Sequence, residues 1–502
     1  VPFDSSAALS QLDQAAAQQK LSPGAVSNIR QWLTESRYAA YAPQVAEHLA
    51  AGKWKELDDA FWTVIPFGTG GRRGKMYPIG CNAINDRTIG ESAQGLADYV
   101  LSQNLTPEQL TCAIAYDTRH NSRHFAELCA SIMVANGFRI FFLDDYRSTP
   151  ELSFLVRYKS CACGIMVTAS HNPPSDNAVK VYWAGGVQVL PPHDKAIIAR
   201  VMNVQEIKTA NFSQAVASGK VVMCKEEVDA AFLAAVKTQS IPGPRDVKIV
   251  YTPLHGVGES CVAPVLAADG FKSVEVFAPQ REPNGDFPNV PGHVSNPENP
   301  QVFDAPVARA KETDADLVLA TDPDCDRMGA AAPVTKDKRG AWQTFTGNQL
   351  GALLTDYVLS KRKQAGGLAN KYVVKTLVTT EMIRRIADSY GVATHGNLHV
   401  GFKWIAQEID ASGPDGFVFG AEESHGYLAG THVRDKDAAV ACLLMAELAA
   451  ACQAEGKSLH EKLESLYWQH GYHGERLLNM TMQGSAGMAR MQALMANFRS
   501  DP

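Results

Sequence analysis

VKIVYTPLHGVG, residues 247–258, decides the fold class. A short apolar run, VKIVY, ends in a loop of Thr, Pro, His and Gly. Helical spacing follows over 259–269 until Gly270 closes it, and a second apolar run, SVEVF, occupies 273–277. Strand, polar or Gly-rich loop, helix and strand in that order specify a parallel or mixed sheet with helices on its faces. The same order occurs twice more. CAIAY at 112–116 leads into DTRHNS, a helix over 123–136 ended by Gly137, and RIFFL at 139–143. KYVVKTL at 371–377 leads into VTT and the helical EMIRRIADSYG at 381–391. Three such units predict three similar mixed α/β domains. Ligands of such sheets gather at the carboxyl ends of strands, so the loops that leave the strands are where chemistry is expected.

Working outward, residues 1–60 read as helical. Ser22-Pro23 is a helix start, with Ile29, Trp32 and Leu33 at helical spacing after it; Trp54, Leu57, Phe61 and Trp62 form a second apolar stripe. IPGPRD at 241–246 is a Pro/Gly linker, and further breaks fall at 336–347 and 466–474. The expected domains are 1–243, 244–345 and 346–468. The remainder, 469–502, offers one strand (ERLLNMTM, 475–482) and one helix (486–498), too little to close a domain.

With 502 residues the chain is too long for one hydrophobic core. Its net charge of -6 gives no general basic field for nucleic acid, so an anionic substrate needs local Arg, Lys or a metal. No run of 18 apolar residues signals a membrane span, and residues 1–20 lack the charged start and apolar centre of a signal peptide. The ten cysteines are scattered, Cys161 and Cys163 included, and form no zinc-type pairs. They read as buried reduced thiols, which with the absent signal points to the cytoplasm.

Four loops carry chemistry. In LATDPDCDRMG, 319–329, an apolar strand runs into Asp322, Asp324 and Asp326, whose alternating spacing on a curving loop turns three carboxylates inward. Hard oxygen ligands of that kind suit Mg²⁺, and three packed anions are costly without a cation. An EF-hand is excluded, because Gly at loop position 6 and Glu at position 12 are missing. In GIMVTASHNPPSDNAVKVYW, 164–183, another apolar strand ends at Ser170, placed to protrude as a nucleophile, with His171 beside it and Lys180 ten residues on. Neighbouring Ser and His do not make a Ser-His-Asp triad, since adjacent side chains on a strand point apart. FGTGGRRGKMYP, 67–78, brings backbone N–H groups and two arginines to a phosphate-sized turn. FGAEESHGYLAGTHVRDKD, 419–437, offers Glu422, Glu423 and Ser424 to sugar hydroxyls, and His425, His432, Arg434 and Lys436 as proton donors or positive charge.

TASHNP, DPDCDR, GTGGRRG and AEESHG stand in the order and spacing of the α-D-phosphohexomutase superfamily, which the chain resembles over 25–500. NDRTIGESAQGLADYV, CGIMVTASHNPPSDNAVKVYWAGGVQVLPPHDK and VGFKWIAQEI carry a closer likeness to the branch that holds phosphoglucomutase-2, phosphopentomutase and glucose-1,6-bisphosphate synthase. The resemblance implies three α/β domains around a cleft, with a truncated fourth. It implies that Ser170 carries phosphate, and that Asp322, Asp324 and Asp326 hold Mg²⁺ with Ser170 completing the site. Arg73, with Arg72 as a helper, would hold the phosphoserine, and Arg327 would sit beside the phosphate. Lys180, His171 and Lys436 would be the proton-transfer candidates. Glu422 and Ser424 would grip sugar hydroxyls, Gly401 and Lys403 would read the anomeric side, and Arg434 would add charge to the substrate site.

The implied activity is interconversion of glucose 1-phosphate and glucose 6-phosphate, with glucose 1,6-bisphosphate as intermediate and activator. Ribose or deoxyribose phosphates, or synthesis of the bisphosphate, are the neighbouring readings. The implied partner is a phosphosugar, met by a monomer or weak dimer, without nucleic acid or membrane. The family's fourth domain carries a Ser-Gly-Thr phosphate loop that has no counterpart here, and its loss is expected to slow turnover by about 10²- to 10⁴-fold. Gly70 and Val400 also replace usual family residues. Two other classes compete: a phosphosugar-binding relative without turnover, against which the intact Ser170 and aspartates argue, and an aspartate-nucleophile phosphatase, whose DxDx[TV] start DPDCDR does not match.

Overall fold

The computed structural model describes residues 4–501 apart from Thr69, Asn479, Thr481 and Gln483. The chain forms two compact units, one of Val1–Pro66, Gly74–Thr88 and Gly474–Pro502, the other of Phe67–Arg73 and Ile89–His473.

Three sheets build the larger unit. The first orders its strands β1-β5-β4-β2-β3-β6, with β1 Gly71–Lys75, β2 Thr111–Tyr116, β3 Arg139–Phe142, β4 Cys163–Val167, β5 Asp176–Trp183 and β6 Val221–Met223. The second runs β11-β10-β9-β7-β8, from β7 Lys248–Thr252, β8 Ser273–Val276, β9 Leu317–Thr321, β10 Met328–Pro333 and β11 Trp342–Thr344. The third runs β13-β12-β14-β15, from β12 Tyr372–Thr376, β13 Ala393–Leu398, β14 Phe417–Glu422 and β15 Gly426–Ala429.

One four-stranded pattern repeats in all three. A central strand (β2, β7, β12) pairs in parallel with the strand after it (β3, β8, β13) and, on its other side, with a third strand (β4, β9, β14). That third strand turns back into an antiparallel fourth (β5, β10, β15). The expected three similar mixed α/β domains are therefore present. The strands β2, β4, β9, β12 and β14 are buried at every residue, which is why each reads as a continuous apolar run and not as an alternation. The Ser170, Asp322 and Glu422 motifs all leave the third strand of their domain, at the turn into the fourth. Each turn holds a non-glycine residue at positive φ: Ser170 at 52°, Cys325 at 52° and His425 at 62°.

The sheets share one core. The largest apolar cluster takes side chains from all three, and the helix Ala438–Ala454 runs through it with Ala, Leu, Val and Met on every face. That all-round burial removes any amphipathic stripe. Among the described residues no single helix is long and apolar enough to cross a membrane.

In the smaller unit, four helices, Ser6–Ala17, Pro23–Thr34, Ala42–Ala50 and Trp54–Phe61, close around Trp32. Its indole stacks on Tyr38 with centroids 4.6 Å apart and meets Phe61 edge-on at 5.3 Å. Ser22 caps the second helix by accepting from the Ala25 N–H, with Pro23 at the first helical position, as the sequence indicates.

Two local expectations change. The helix expected over 259–269 starts as a 3₁₀ turn, Gly258–Ser260, and becomes α-helical only over Val262–Ala268, with Pro264 accommodated in its first turn. The strand expected at 475–482 is absent among its described residues: 475–478 are unpaired, with Leu477 and Leu478 exposed, and Asn479 and Thr481 lie outside the description. LNMTM alternates apolar and polar residues as a half-buried strand does, but none of its described residues joins a sheet, so the local pattern is left without a pairing partner. The helix expected after it is present as Gly484–Ser500.

Candidate active site

Ser170 stands at the left-handed apex of the β4–β5 turn. Its N–H donates to Thr168 Oγ1 (2.8 Å), and Thr168 Oγ1 donates to Asp117 Oδ2 (2.6 Å). Its hydroxyl is turned toward the second domain: Oγ donates to Asp322 Oδ2 at 2.8 Å and lies 3.2 Å from His171 Nδ1. Burial, then the charges of Arg327 and Arg73, push the His171 imidazole down to about 3, so the ring is neutral. Arg73 reaches the same loop through Asn172 Oδ1 (3.2 Å).

Asp322, Asp324 and Asp326 lie on the β9–β10 turn, fully buried, each offering an oxygen within 4.8 Å of the others. Asp322 Oδ1 accepts the N–H groups of Asp326 (3.1 Å) and Arg327 (3.0 Å), so this carboxylate organises its own loop. Asp324 Oδ2 accepts from Thr149 Oγ1 and from Lys180 Nζ, each at 2.7 Å. Lys180 also lies 3.7 Å from Asp326, and Lys436 Nζ sits 3.1 Å from Asp326 Oδ2.

Burial, then the neighbouring Asp324 and Asp326, push the Asp322 carboxyl well above the usual range. At Asp324 burial pushes the same way, but Lys180 and Thr149 outweigh it and hold the group below its ordinary value. Burial opposes the charge on Lys436, yet Asp326, Asp435 and Glu422 keep its pKa above normal. Two oxygens, Asp324 Oδ1 and Asp326 Oδ1, are buried with no hydrogen-bond partner. Unpaired carboxylate oxygens converging at this spacing are what a hard divalent cation takes up. The residues therefore fit a metal.

The third domain approaches through its own turn. Arg327 and Gly426 form a β-bridge, Met328 N–H donates to His425 O (3.1 Å), and His425 Nδ1 donates to Met328 O (3.2 Å). Glu422 is buried and accepts from the Gly401 N–H at 2.9 Å. Gly401, the residue before the helix Phe402–Ser412, adopts φ 118°, a conformation costly for any other residue, while its N–H meets Glu422. Burial raises the Glu422 carboxyl, with Lys436 and the Gly401 bond opposing. Ser424 is half-buried on the same turn, and Lys403 lies half-buried with its ammonium 5.2 Å over the Trp404 ring.

Of the residues singled out from sequence, Ser170, His171, Lys180, Asp322, Asp324, Asp326, Arg327 and Lys436 thus meet in one cluster. Arg73 touches its edge, and Glu422, with Gly401 bonded to it, stands on the third-domain side; Ser424 follows Glu422 on its turn, and Lys403 turns to the Trp404 ring. Arg434 is committed elsewhere: its guanidinium binds Asp410 (2.8 Å) and the carbonyls of Thr431 and Val433. Arg72 is buried against Glu91 at 2.7 Å. Sequence reasoning missed Arg119, Thr149, Glu298, which pairs with Arg327, and Asp435, which accepts from Tyr182 Oη (2.6 Å) and Lys436 (3.0 Å). The polar DTRHNS loop was a signal for Arg119. Thr149, at the first turn of a helix, gave none.

The chain is similar to known proteins over most of its length. The Phosphoglucomutase/phosphomannomutase family matches through its alpha/beta/alpha domains I, II and III at residues 65–208, 230–335 and 346–470. A phosphoglucomutase of Staphylococcus epidermidis is 35% identical over 458 residues, covering 89% of this chain and 80% of the relative. That of Staphylococcus aureus is 32% identical over 450 residues, covering 89% and 79%. Among solved structures, a Thermus thermophilus protein described as a phosphomannomutase superposes with TM-score 0.65 at 25% identity, covering 81% of this chain and 84% of its own. A phosphoglucomutase/phosphomannomutase family protein of Burkholderia thailandensis shares the fold, with TM-score 0.63 at 19% identity over 80% and 79%. The identity and the shared domain order, together with Ser170 facing three buried aspartates, make the chain a member of the phosphoglucomutase/phosphomannomutase family.

Proposed function

We propose that this chain is a phosphosugar mutase that interconverts glucose 1-phosphate and glucose 6-phosphate, with phosphate carried on Ser170, Mg²⁺ held by Asp322, Asp324 and Asp326, and glucose 1,6-bisphosphate as intermediate. The observation that carries the reading is the Ser170 hydroxyl 2.8 Å from Asp322, beside two buried carboxylate oxygens that lack partners.

Phosphoryl transfer asks for positioning and charge neutralisation more than covalent machinery. Mg²⁺, when bound, supplies positive charge against the transferring phosphoryl group. The rest falls to the chain. In the forward direction the bond from Ser170 Oγ to phosphorus breaks as the 6-hydroxyl of glucose 1-phosphate bonds to it. The proton of that hydroxyl passes to His171, the neutral ring beside Ser170, while Lys180 and Lys436, ion-paired with Asp324 and Asp326, face the transfer as proton donors and positive charge. The bisphosphate then turns over, its 1-phosphoryl group returns to Ser170 Oγ, and the proton held since the first transfer passes to the leaving anomeric oxygen, giving glucose 6-phosphate. Glu422 and Ser424 serve either orientation through the sugar hydroxyls, with Gly401 and Lys403 beside them. Arg327 and Arg73 neutralise phosphate oxygens.

A coupled assay of glucose 6-phosphate formation tests this. Turnover of glucose 1-phosphate that requires Mg²⁺, rises with catalytic glucose 1,6-bisphosphate and falls at least about 10³-fold in Ser170→Ala is expected. Turnover untouched by Ser170→Ala, or confined to ribose 1-phosphate, contradicts the reading.

A further inference from the structure

The loop that carries Ser170 is held from behind by a residue that never reaches the hydroxyl. Arg119, in the loop after β2, is buried, with 3% of its surface exposed. Its Nη2 donates to the carbonyls of Ser170 and Asn172, and its Nη1 to those of Pro173 (2.8 Å) and Asp176 (3.1 Å). One guanidinium therefore gathers four carbonyls of a single turn. Its Nε lies 3.4 Å from Asp117 Oδ2, and Asp117 is the carboxylate that takes the Thr168 hydroxyl supporting the Ser170 N–H. The Asp117–Arg119 pair thus fixes the left-handed apex from both sides, through the N–H and through the C=O of Ser170.

The same short loop is anchored on the second domain. Thr118 Oγ1 donates to His255 O (3.0 Å), His120 Nε2 meets Asp286 Oδ1 (2.7 Å), and the Arg119 guanidinium faces the Phe287 ring at 5.2 Å. A methyl group on Gly285 would lie 2.7 Å from the His120 nitrogen, so the backbones are in close contact. The element that grips the nucleophile's turn is therefore docked on the domain that carries the aspartates.

We propose that Arg119 is a positioning residue for phosphoryl transfer: it holds the Ser170 turn in register with the second domain, so that Oγ stays aimed at Asp322. The proposal rests on the reading of Ser170 as the phosphate carrier. A planar fork of five donors is needed to span four carbonyls, and a lysine ammonium, with three donors on one atom, cannot replace it. Arg119 contacts no reacting atom, so its loss acts on the orientation of Ser170 and not on sugar binding.

The test measures kcat and KM for glucose 1-phosphate, the rate of Ser170 phosphate uptake from glucose 1,6-bisphosphate by peptide mass spectrometry, and the melting temperature, in wild type, Arg119→Lys, Arg119→Met and Asp117→Asn. The expected result is a fall in kcat of about 10- to 100-fold in both Arg119 variants, KM within about threefold, and uptake slowed in the same ratio. Asp117→Asn removes the countercharge and leaves one oxygen where the carboxylate uses two, Oδ2 for Thr168 and Oδ1 for Ser122 and the Arg119 N–H, and shows the same signature. If the Arg119 variants do not fold, Asp117→Asn decides alone. Unchanged kcat, a rise in KM at constant kcat, or losses that only track the unfolded fraction overturn the proposal. Uptake that fails in wild type as well overturns the phosphate-carrier reading beneath it.

Discussion

The turn that carries Ser170 and the turn that carries Asp322, Asp324 and Asp326 hold the same place in successive domains, yet the segment after the central strand supports them differently: a buried arginine behind the first, a run of small residues behind the second. The Ser170 turn is tied by charge, through the Arg119 fork on four carbonyls and the Asp117–Thr168 relay. The aspartate turn is tied by close contact. Val257 N–H donates to Pro323 O at 2.9 Å; a methyl on Gly256 would lie 2.4 Å from Pro323 Cα, and one on Gly258 2.1 Å from the Tyr251 hydroxyl oxygen and 3.2 Å from Cys325 Sγ. On the proposed function, the turn whose load changes between hydroxyl and phosphate is the one gripped by a cation. A turn whose three carboxylates keep a fixed task is wedged by small residues with no room to shift.

The sharpest way to break that contrast is Asp324→Asn. It leaves Lys180 buried beside a neutral amide, and removing one partner of a buried pair costs about 3–5 kcal/mol, read in denaturant unfolding. Mg²⁺ affinity, read by calorimetry, falls with it. Next comes pH, acting where the aspartate turn meets the third domain. Burial pushes His425 down to about 4, so the folded protein binds this proton less readily than the unfolded chain. The contribution is fully present above about pH 6.5 and is lost as pH falls toward 4, by up to about 3 kcal/mol. His425→Gln should flatten that part of the stability–pH curve. Gly258→Ala, which overpacks the wedge, should cost about 1–3 kcal/mol and weaken Mg²⁺ binding while leaving the Ser170 turn in place. The smallest effect belongs to Thr149→Val, which removes one donor to Asp324 for about 1 kcal/mol and a few-fold loss of kcat.

The contrast also marks what the sequence could say. The three strand–loop–helix units were legible because their leading strands, β2, β7 and β12, are buried on both faces and read as mainly apolar runs. The aspartates and Ser170 were legible because side-chain chemistry sits at fixed spacing on the turns that leave those runs. The return strands β5, β10 and β15, which make the three domains equivalent, were not: each pairs with the strand just before it, as Thr321 with Met328 and Glu422 with Gly426, but β10 (MGAAAP) and β15 (GYLA) are short and built of small residues, without the alternation that marks a hairpin arm. Arg119 escaped for a related reason: its partners are carbonyls, which every residue carries, so no pattern of side chains points to them. Arg434 reads as a substrate cation in sequence because Asp410, which neutralises it at 2.8 Å, lies 24 residues away.

The central claim is that Ser170 carries the phosphate, and peptide mass spectrometry of the full chain tests it most directly. Incubation with Mg²⁺ and glucose 1,6-bisphosphate, followed by excess glucose 1-phosphate, should first add one phosphate to the Ser170 peptide and then remove it, with glucose 6-phosphate appearing. A Ser170 peptide that stays unmodified while glucose 6-phosphate accumulates would contradict the account.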